Sequence, residues 1–125
     1  MAQIRTHKDL WVFHISYRAA LDIFKLTKTF PREEIYSLTD QIRRSSRSVP
    51  ANIAEAWRKR RYPKSFIAKL SDSETEAAET QVWLDFSLDF KYISPEIHKD
   101  LYDKYDYILS MITNMQKHPE KWTIL

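Results

Sequence analysis

The sequence contains no glycine and no cysteine. Tight hairpins, phosphate-binding loops of nucleotide-binding enzymes and most catalytic elbows need glycine, because only glycine freely adopts a positive φ or lets a ligand approach the backbone closely. Without cysteine there is no disulfide bond, no thiolate nucleophile and no cysteine zinc site, which is compatible with a reducing cytoplasm. These classes of site and activity are therefore excluded.

Long apolar runs are also absent. No run approaches the length of a membrane span, and the opening residues, MAQIRTHKDLW, lack the apolar segment of a signal peptide. We therefore expect a soluble, cytoplasmic protein with no membrane partner. The chain has 125 residues, of which 43% are hydrophobic, so a single domain over residues 1–125 is predicted, with a core that needs no metal or disulfide.

Apolar residues recur with the period of a helix in four stretches, separated at Pro31, Pro63 and Pro95. No stretch alternates in the manner of a β-strand. The predicted helices cover about residues 8–29, 37–60, 63–92 and 95–117. Because such long helices are joined by short connections, the sequence predicts an all-α fold, an antiparallel up-down four-helix bundle.

Pro50 lies inside the second predicted helix, where it removes a backbone hydrogen bond. The apolar stripe continues across it through Val49, Ile53 and Ala56, so one helix kinked at Pro50 is favoured over two separate helices. Small polar residues lie on or beside the core stripes of the second and third helices. A hydrogen-bonded network is favoured for them over an internal polar pocket. They are Gln41, Ser45, Asn52, Ser73, Thr80 and Gln81.

The first helix carries two apolar stripes on nearly opposite faces. One stripe consists of Trp11, Ile15, Ala19, Ile23 and Leu26, and the other of Phe13, Tyr17, Ala20, Leu21 and Phe24. A helix in a monomeric bundle needs only one stripe, and large apolar patches are seldom left in water. We therefore expect a homo-oligomer. Its predicted interface is Trp11, Ile15, Ala19 and Ile23. A wide core-facing helix with a few exposed aromatic residues is the alternative.

The formal net charge of +3 hides an uneven distribution, because residues 41–69 hold nine basic side chains and one acidic side chain, Glu55. Arginine binds phosphates in a bidentate manner, and the nearby Trp57 and Tyr62 could stack on bases. The predicted nucleic-acid-binding residues are Arg43, Arg44, Arg47, Arg58, Lys59, Arg60 and Arg61. Alternatively, these arginines form ion pairs with carboxylates such as Glu76 and Glu79, within or between subunits.

No combination of residues indicates catalysis. Bundles that bind two metal ions use Glu-x-x-His pairs, and none occurs here. The four histidines are scattered, and no serine has an activating base beside it in the sequence. We therefore expect no enzymatic activity, no metal, no cofactor and no small-molecule substrate.

Two runs of residues are specific enough to suggest a family. The run LTDQIRRSSRSVPANIAEAWRKR, from Leu38 to Arg60, and the later run EAAETQVWLDFSLDFKYI resemble the four-helix-bundle proteins encoded in 23S rRNA intervening sequences. The most specific part is the motif Ser-x-Pro-x-Asn-Ile-Ala-Glu, in which Ala56 follows where the family usually has glycine. The motif residues, with two glutamates of the second run, are Ser48, Pro50, Asn52, Glu55, Glu76 and Glu79.

This resemblance implies a bundle that assembles as a ring, commonly a homopentamer, without enzymatic activity. The family is also similar to accessory proteins of diversity-generating retroelements, for which action with a reverse transcriptase and nucleic acid through a basic surface is expected. The sequence and the resemblance together predict a homo-oligomeric accessory protein that binds RNA or a ribonucleoprotein through the second helix. A protein-interaction scaffold with ion-paired arginines and no nucleic-acid binding is the alternative.

Overall fold

The computed structural model describes residues 4–123, and all regular structure within that range is helical. It contains four α-helices, which agrees with the number and class predicted from the periodicity and is consistent with a four-helix bundle. The helices are α1 (Trp11–Thr27), α2 (Leu38–Arg58), α3 (Pro63–Asp89) and α4 (Pro95–Lys117).

The start of α1 lies three residues after the predicted start because a separate turn precedes it. Residues His7–Asp9 form a 3-10 turn closed by a capping box. The Thr6 hydroxyl accepts a hydrogen bond from the Lys8 N–H at 3.2 Å, and the Asp9 carboxylate accepts from the Thr6 N–H at 3.1 Å. Leu10 is then extended, so α1 starts at Trp11.

The end of α3 lies three residues before the predicted end because the chain reverses at Lys91, which has φ 65°. The Lys91 N–H donates to the Leu88 carbonyl, and the Tyr92 N–H donates to the Ser87 carbonyl, both at 2.9 Å. This pair of bonds is a Schellman motif, whose left-handed residue is usually glycine. In a chain without glycine, a lysine takes that conformation. The next helix begins as its sequence predicts, with the Ser94 hydroxyl accepting from the Ile97 N–H at 3.2 Å.

The core is formed by apolar side chains from all four helices. The helices α1 and α2, α2 and α3, α3 and α4, and α1 and α4 are in contact. The large side chains that are completely buried include Ile23, Ile42, Ile53, Phe66, Leu70, Leu84, Tyr105, Ile108 and Ile112. None of the described helices is long and apolar enough to cross a membrane.

The helix α2 continues without interruption through Pro50, as predicted for a single helix. The Ser45 and Thr80 hydroxyl oxygens are 2.8 Å apart, which joins the middle of α2 to α3. The Ser73 hydroxyl donates to the Val49 carbonyl at 2.8 Å, next to the proline. Of the predicted polar network, Ser45, Ser73 and Thr80 therefore join these two helices and satisfy buried groups that would otherwise destabilise the core. Asn52 instead donates within α2, and the Gln81 amide donates to an Asp106 carboxylate oxygen of α4 at 2.8 Å.

Candidate nucleic-acid interface

Three arginines of α2 point away from the core. Arg44, Arg47 and Arg58 are all exposed. Their spacings of 3 and 11 residues place them on one side of a helix with 3.6 residues per turn. At a rise of about 1.5 Å per residue, Arg47 and Arg58 are separated by about 16 Å along the helix axis. The solvent side of α2 therefore presents a row of cations.

The row continues into the connection between α2 and α3. Lys59 and Arg61 are exposed there, and Lys64 is exposed in the first turn of α3. Tyr62 lies between these cations and is also exposed. An exposed aromatic ring among cations is a suitable platform for a nucleic-acid base. We call Arg44, Arg47, Arg58, Lys59 and Arg61 the basic surface.

Arg60 lies against the protein rather than in the solvent. Its guanidinium carbon is 3.6 Å from the centroid of the Trp57 ring, and its Nη1 donates to the Trp57 carbonyl at 2.9 Å. Burial, together with the charge of Arg58, lowers the pKa of Arg60. The Trp57 side chain is only 6% exposed. The expectation that Trp57 stacks on bases was therefore wrong, because its indole belongs to the core.

Arg43 is half-buried and points toward the end of α1, away from the basic surface. Its Nε donates to the Thr27 hydroxyl at 2.8 Å. Its guanidinium carbon is 4.6 Å from the centroid of the Phe24 ring. The seven predicted binding residues thus fall into three groups: five cations of the basic surface, Arg60 stacked on Trp57, and Arg43 fastened to α1.

None of the seven predicted binding residues forms an ion pair within 4.0 Å with a carboxylate of residues 4–123. The one acidic residue of the basic segment, Glu55, is bound by Lys69 at 2.9 Å, and this hydrogen bond raises the pKa of Lys69. The charges of the basic surface are therefore not neutralised by direct contacts within the described chain.

Glu76 and Glu79, both half-buried, lie on α3. Burial raises the pKa of Glu76, the charge of Glu79 raises it further, and the charge of Arg44 acts in the opposite direction. Arg44 thus influences Glu76 electrostatically without forming an ion pair with it. The remaining motif residues support α2, since the Asn52 side-chain amide donates to the Ser48 carbonyl at 2.9 Å and the Ser48 hydroxyl donates to the Arg44 carbonyl at 2.9 Å.

The predicted oligomer interface requires a correction at two of its four residues. Ala19 is 1% exposed and Ile23 is 0% exposed, so both pack in the chain's own core and no second subunit can reach them. Ile15 is half-buried. Trp11 is 57% exposed, and its indole N–H donates to the Tyr107 hydroxyl at 3.2 Å. The stripe that we predicted to face a neighbour is therefore mainly the core stripe.

The other stripe of α1 faces outward. Tyr17, Leu21 and Phe24 are exposed, and with half-buried Phe13 they form what we call the α1 face. It borders an open apolar groove of about 460 Å³, whose other wall contains Arg47, Pro50 and Ala51. Both stripes are visible in the sequence, but their hydrophobicity alone does not distinguish the one that packs inside.

A second outward apolar surface lies on α3. Val82, Phe86 and Phe90 are exposed at spacings of four residues, and we call them the α3 face. The centroids of the Phe86 and Phe90 rings are 5.7 Å apart. The described structure leaves this apolar set uncovered.

The described residues contain no cluster of three or more histidines or carboxylates that could hold a metal ion. The scattered histidines act locally. His98, for example, lies with its Nε2 2.7 Å from an Asp85 carboxylate oxygen, which joins α3 to α4.

Comparisons with known proteins agree with this fold. A family model described as 23S rRNA-intervening sequence protein matches residues 8–114. The crystal structure of a protein of unknown function from Bacteroides thetaiotaomicron, assigned to the S23 ribosomal protein family, is similar with a TM-score of 0.77 and 30% sequence identity. The similarity covers 85% of this chain and 95% of that chain. A search of curated proteins gives no match.

Proposed function

From the premise that the chain belongs to the 23S rRNA-intervening sequence protein family, we propose that it is a non-enzymatic accessory protein that binds RNA, alone or within a ribonucleoprotein, through the basic surface. The observation that carries this proposal is the absence of ion pairs to those cations within residues 4–123. Unpaired arginines and lysines on one side of a protein attract phosphates and release the counterions that phosphates hold.

The shape of the basic surface also supports the proposal. Arg47 and Arg58 are separated by about 16 Å along α2, a distance over which a nucleic-acid strand presents several phosphates. Exposed Tyr62 adds a flat ring beside the cations. Contacts of this kind bind the backbone with little preference for sequence.

A combined substitution of Arg58, Lys59 and Arg61 by glutamine tests the assignment. We expect this variant to bind a single-stranded RNA several-fold to more than tenfold more weakly at low salt, because three phosphate contacts are lost. The control is the combined substitution of Lys99, Lys117 and Lys121 by glutamine, which removes the same charge from exposed positions outside the basic surface. Fluorescence anisotropy with labelled RNA measures both affinities. A folded basic-surface variant with wild-type affinity would contradict the proposal.

We further propose that the chain forms a homo-oligomer, for which the family resemblance suggests a homopentamer. The α1 face and the α3 face support this proposal, since both are exposed in the single chain and apolar patches of this kind are commonly buried between subunits. The two faces are different, so contact between the α1 face of one copy and the α3 face of the next would be heterologous. Heterologous contacts produce closed rings when the rotation between copies closes.

A protein-interaction scaffold remains the second candidate function. The observation that favours it is the apolar groove beside the α1 face, which has Arg47 at one wall and could receive an apolar segment of a partner protein. In this case the arginines would pair with carboxylates of neighbouring subunits, and the assembled protein would not bind RNA even at low salt. The same binding experiment therefore separates the two functions.

We also propose that the four helices run up and down in antiparallel order. Pairs of contacting residues support this arrangement, because residue numbers rise along one helix as they fall along the next. The pairs between α2 and α3 are Ser45 with Thr80, Val49 with Ser73, and Glu55 with Lys69. We propose that α2 is also kinked at Pro50, because proline lacks the backbone N–H that would complete the helical hydrogen bond at this position.

A further inference from the structure

A small pocket lies where the end of α1 and the following connection meet the start of α2. Its volume is about 240 Å³. Three of the described residues that line it are cations, Lys28, Arg32 and Arg43, and none of the described lining residues is acidic. Phe30 and Ile35 form apolar parts of its wall. Only Arg43 belongs to the binding residues predicted from the sequence, so this is a different site from the basic surface.

Two of these cations are held next to the same aromatic ring. The Lys28 Nζ is 5.0 Å from the centroid of the Phe24 ring, and the Arg43 guanidinium carbon is 4.6 Å from that centroid. Both residues also line the pocket, and like charges repel each other, so the positive charge of its wall favours a bound anion. Within residues 4–123, no carboxylate oxygen lies within 4.0 Å of a charged nitrogen of any of the three cations.

Glu34, a nearby carboxylate, is already engaged elsewhere. Its Oε1 accepts from the Leu38 N–H at 3.3 Å, and its Oε2 accepts from the Tyr92 hydroxyl at 2.8 Å. Its two oxygens therefore bind the start of α2 and the chain after α3. The three cations of the pocket therefore have no carboxylate partner within 4.0 Å among residues 4–123.

The Thr39 hydroxyl is a second, independent indication of a ligand. The Thr39 side chain lines the pocket, is 4% exposed, and its Oγ1 is buried without a hydrogen-bond partner among the described residues. Buried hydroxyl groups are normally hydrogen-bonded, so an unpartnered one in a residue of the pocket wall becomes satisfied if the Thr39 side chain turns toward a bound anion. Arg43 is held in place by its Nε bond to the Thr27 hydroxyl and its Nη2 bond to the Phe24 carbonyl. Its Nη1 has no hydrogen-bond partner among residues 4–123 and is available to a ligand.

We propose that this pocket binds a terminal phosphate monoester of a nucleic-acid strand. The pocket offers three cations and a hydroxyl donor, and a monoester near neutral pH carries more negative charge than the single charge of an internal phosphodiester. The inference rests on the proposed RNA binding and adds to it a preference for a phosphorylated strand end. The basic surface would contact the internal phosphates, while the pocket would hold the terminal phosphate.

The test compares two short single-stranded oligoribonucleotides of identical sequence, one with a 5′-phosphate and one with a 5′-hydroxyl. We expect the wild-type protein to bind the phosphorylated strand roughly tenfold more tightly, since charge-assisted hydrogen bonds are stronger than neutral ones. The variants Thr39→Val and Arg32→Gln should lose this preference. Thr39→Val keeps the shape of the side chain, and thermal unfolding verifies that it folds.

A matched control separates the pocket from the basic surface. Arg61→Gln should weaken binding of both strands to the same extent and leave the preference intact. Equal wild-type affinity for the two strands, or a preference that survives Thr39→Val, would overturn the pocket while leaving the proposed RNA binding in place. Absence of binding to either strand at low salt would overturn the proposed function itself.

Adding inorganic phosphate distinguishes a site for the phosphate at a strand end from a site for free phosphate. If the site takes a strand end, millimolar phosphate should reduce the preference for the phosphorylated strand without abolishing RNA binding. A phosphate-dependent rise in the unfolding temperature that Thr39→Val removes, accompanied by equal affinity for the two strands, would overturn the assignment to nucleic acid and identify a site for free phosphate.

Discussion

Lys91 shows how a chain without glycine ends a long helix. Its left-handed conformation, φ 65°, costs a residue with a Cβ about 1–2 kcal/mol relative to glycine. We therefore predict that Lys91→Gly raises the free energy of unfolding by about 1 kcal/mol, as measured by urea denaturation. Asp89→Gly is the control, since glycine within the last turn of α3 should lower that free energy. A less stable Lys91→Gly variant would contradict the assignment of the Schellman motif.

The Tyr105 side chain places a hydroxyl group inside the core. Its side chain is completely buried, and its hydroxyl has no hydrogen-bond partner among residues 4–123. Burial raises the pKa of this hydroxyl well above its ordinary value, so it stays protonated. Removing a buried, unpaired hydroxyl relieves a penalty of about 1–3 kcal/mol.

Tyr105→Phe should therefore leave the stability unchanged or raise it, and thermal unfolding measures this directly. Tyr107→Phe is a suitable comparison, because that hydroxyl is exposed and accepts the indole N–H of Trp11. If Tyr105→Phe were clearly less stable than the wild type, the hydroxyl would have to be hydrogen-bonded inside the core.

The surroundings of single side chains are the least predictable feature of this sequence. The excess of cations in residues 41–69 could be counted directly, but the positions of Arg43 and Arg60 depend on Phe24 and Trp57, which they meet only in the folded chain. For the same reason, the sequence does not predict a site at Lys28, Arg32 and Thr39. They are spread over one connection and a helix start, and no local pattern indicates that they line one pocket.

The half-buried position of Glu76 on α3 makes the stability of the fold depend on pH. Burial raises its pKa above the ordinary value of 4.5, so the folded protein holds this proton more tightly than the unfolded chain. A group with a raised pKa in the folded state contributes no penalty below the ordinary pKa. As the pH rises above it, ionisation costs stability.

Glu76→Gln should therefore raise the unfolding temperature at pH 7, and the difference from the wild type should vanish as the pH falls below about 4. Thermal unfolding over a pH series measures the effect. Glu96→Gln, at an exposed position in the first turn of α4, provides a comparison at a carboxylate beside a helix N-terminus. If Glu76→Gln unfolded at a lower temperature than the wild type at pH 7, the ionised carboxylate would have to stabilise the fold. Such stabilisation would require a partner outside the described contacts.

The two apolar surfaces give a prediction about assembly. Tyr17→Glu combined with Leu21→Glu introduces two charges into the exposed α1 face, so it should dissociate the oligomer without unfolding the chain. The control combines Arg18→Glu and Lys25→Glu, two exposed polar positions of the same helix. Sedimentation measures the mass. A folded α1-face variant with the mass of the wild-type oligomer, or a monomeric wild type, would contradict the proposed interface.

Elements were predicted more accurately than residues. Periodicity placed every helix, and the largest differences, at the start of α1 and the end of α3, arise from local hydrogen bonds at the capping box and at Lys91. The orientation of α1 about its axis was harder to predict. Both of its stripes are apolar, and only packing against the other helices places Ala19 and Ile23 inside.

The whole molecule combines an uneven charge distribution with a helical scaffold. The basic surface lies on α2 and the connection after it, whereas residues 70–125 hold eleven acidic and five basic side chains. Counting charges along the sequence predicted this separation. It could not show that the cations of the basic surface form no ion pair within residues 4–123, because ion pairs depend on how α2 and α3 are aligned.

The affinity of the nuclease-treated protein for a single-stranded RNA, measured across a series of salt concentrations, tests the central proposal most directly. We predict that the logarithm of the binding constant falls linearly with the logarithm of the salt concentration. Replacing Arg58, Lys59 and Arg61 by glutamine should flatten the slope by about 2, at about 0.7 for each lost phosphate contact. An unchanged slope in a folded variant, or no binding by the wild type at low salt, would contradict RNA binding through the basic surface.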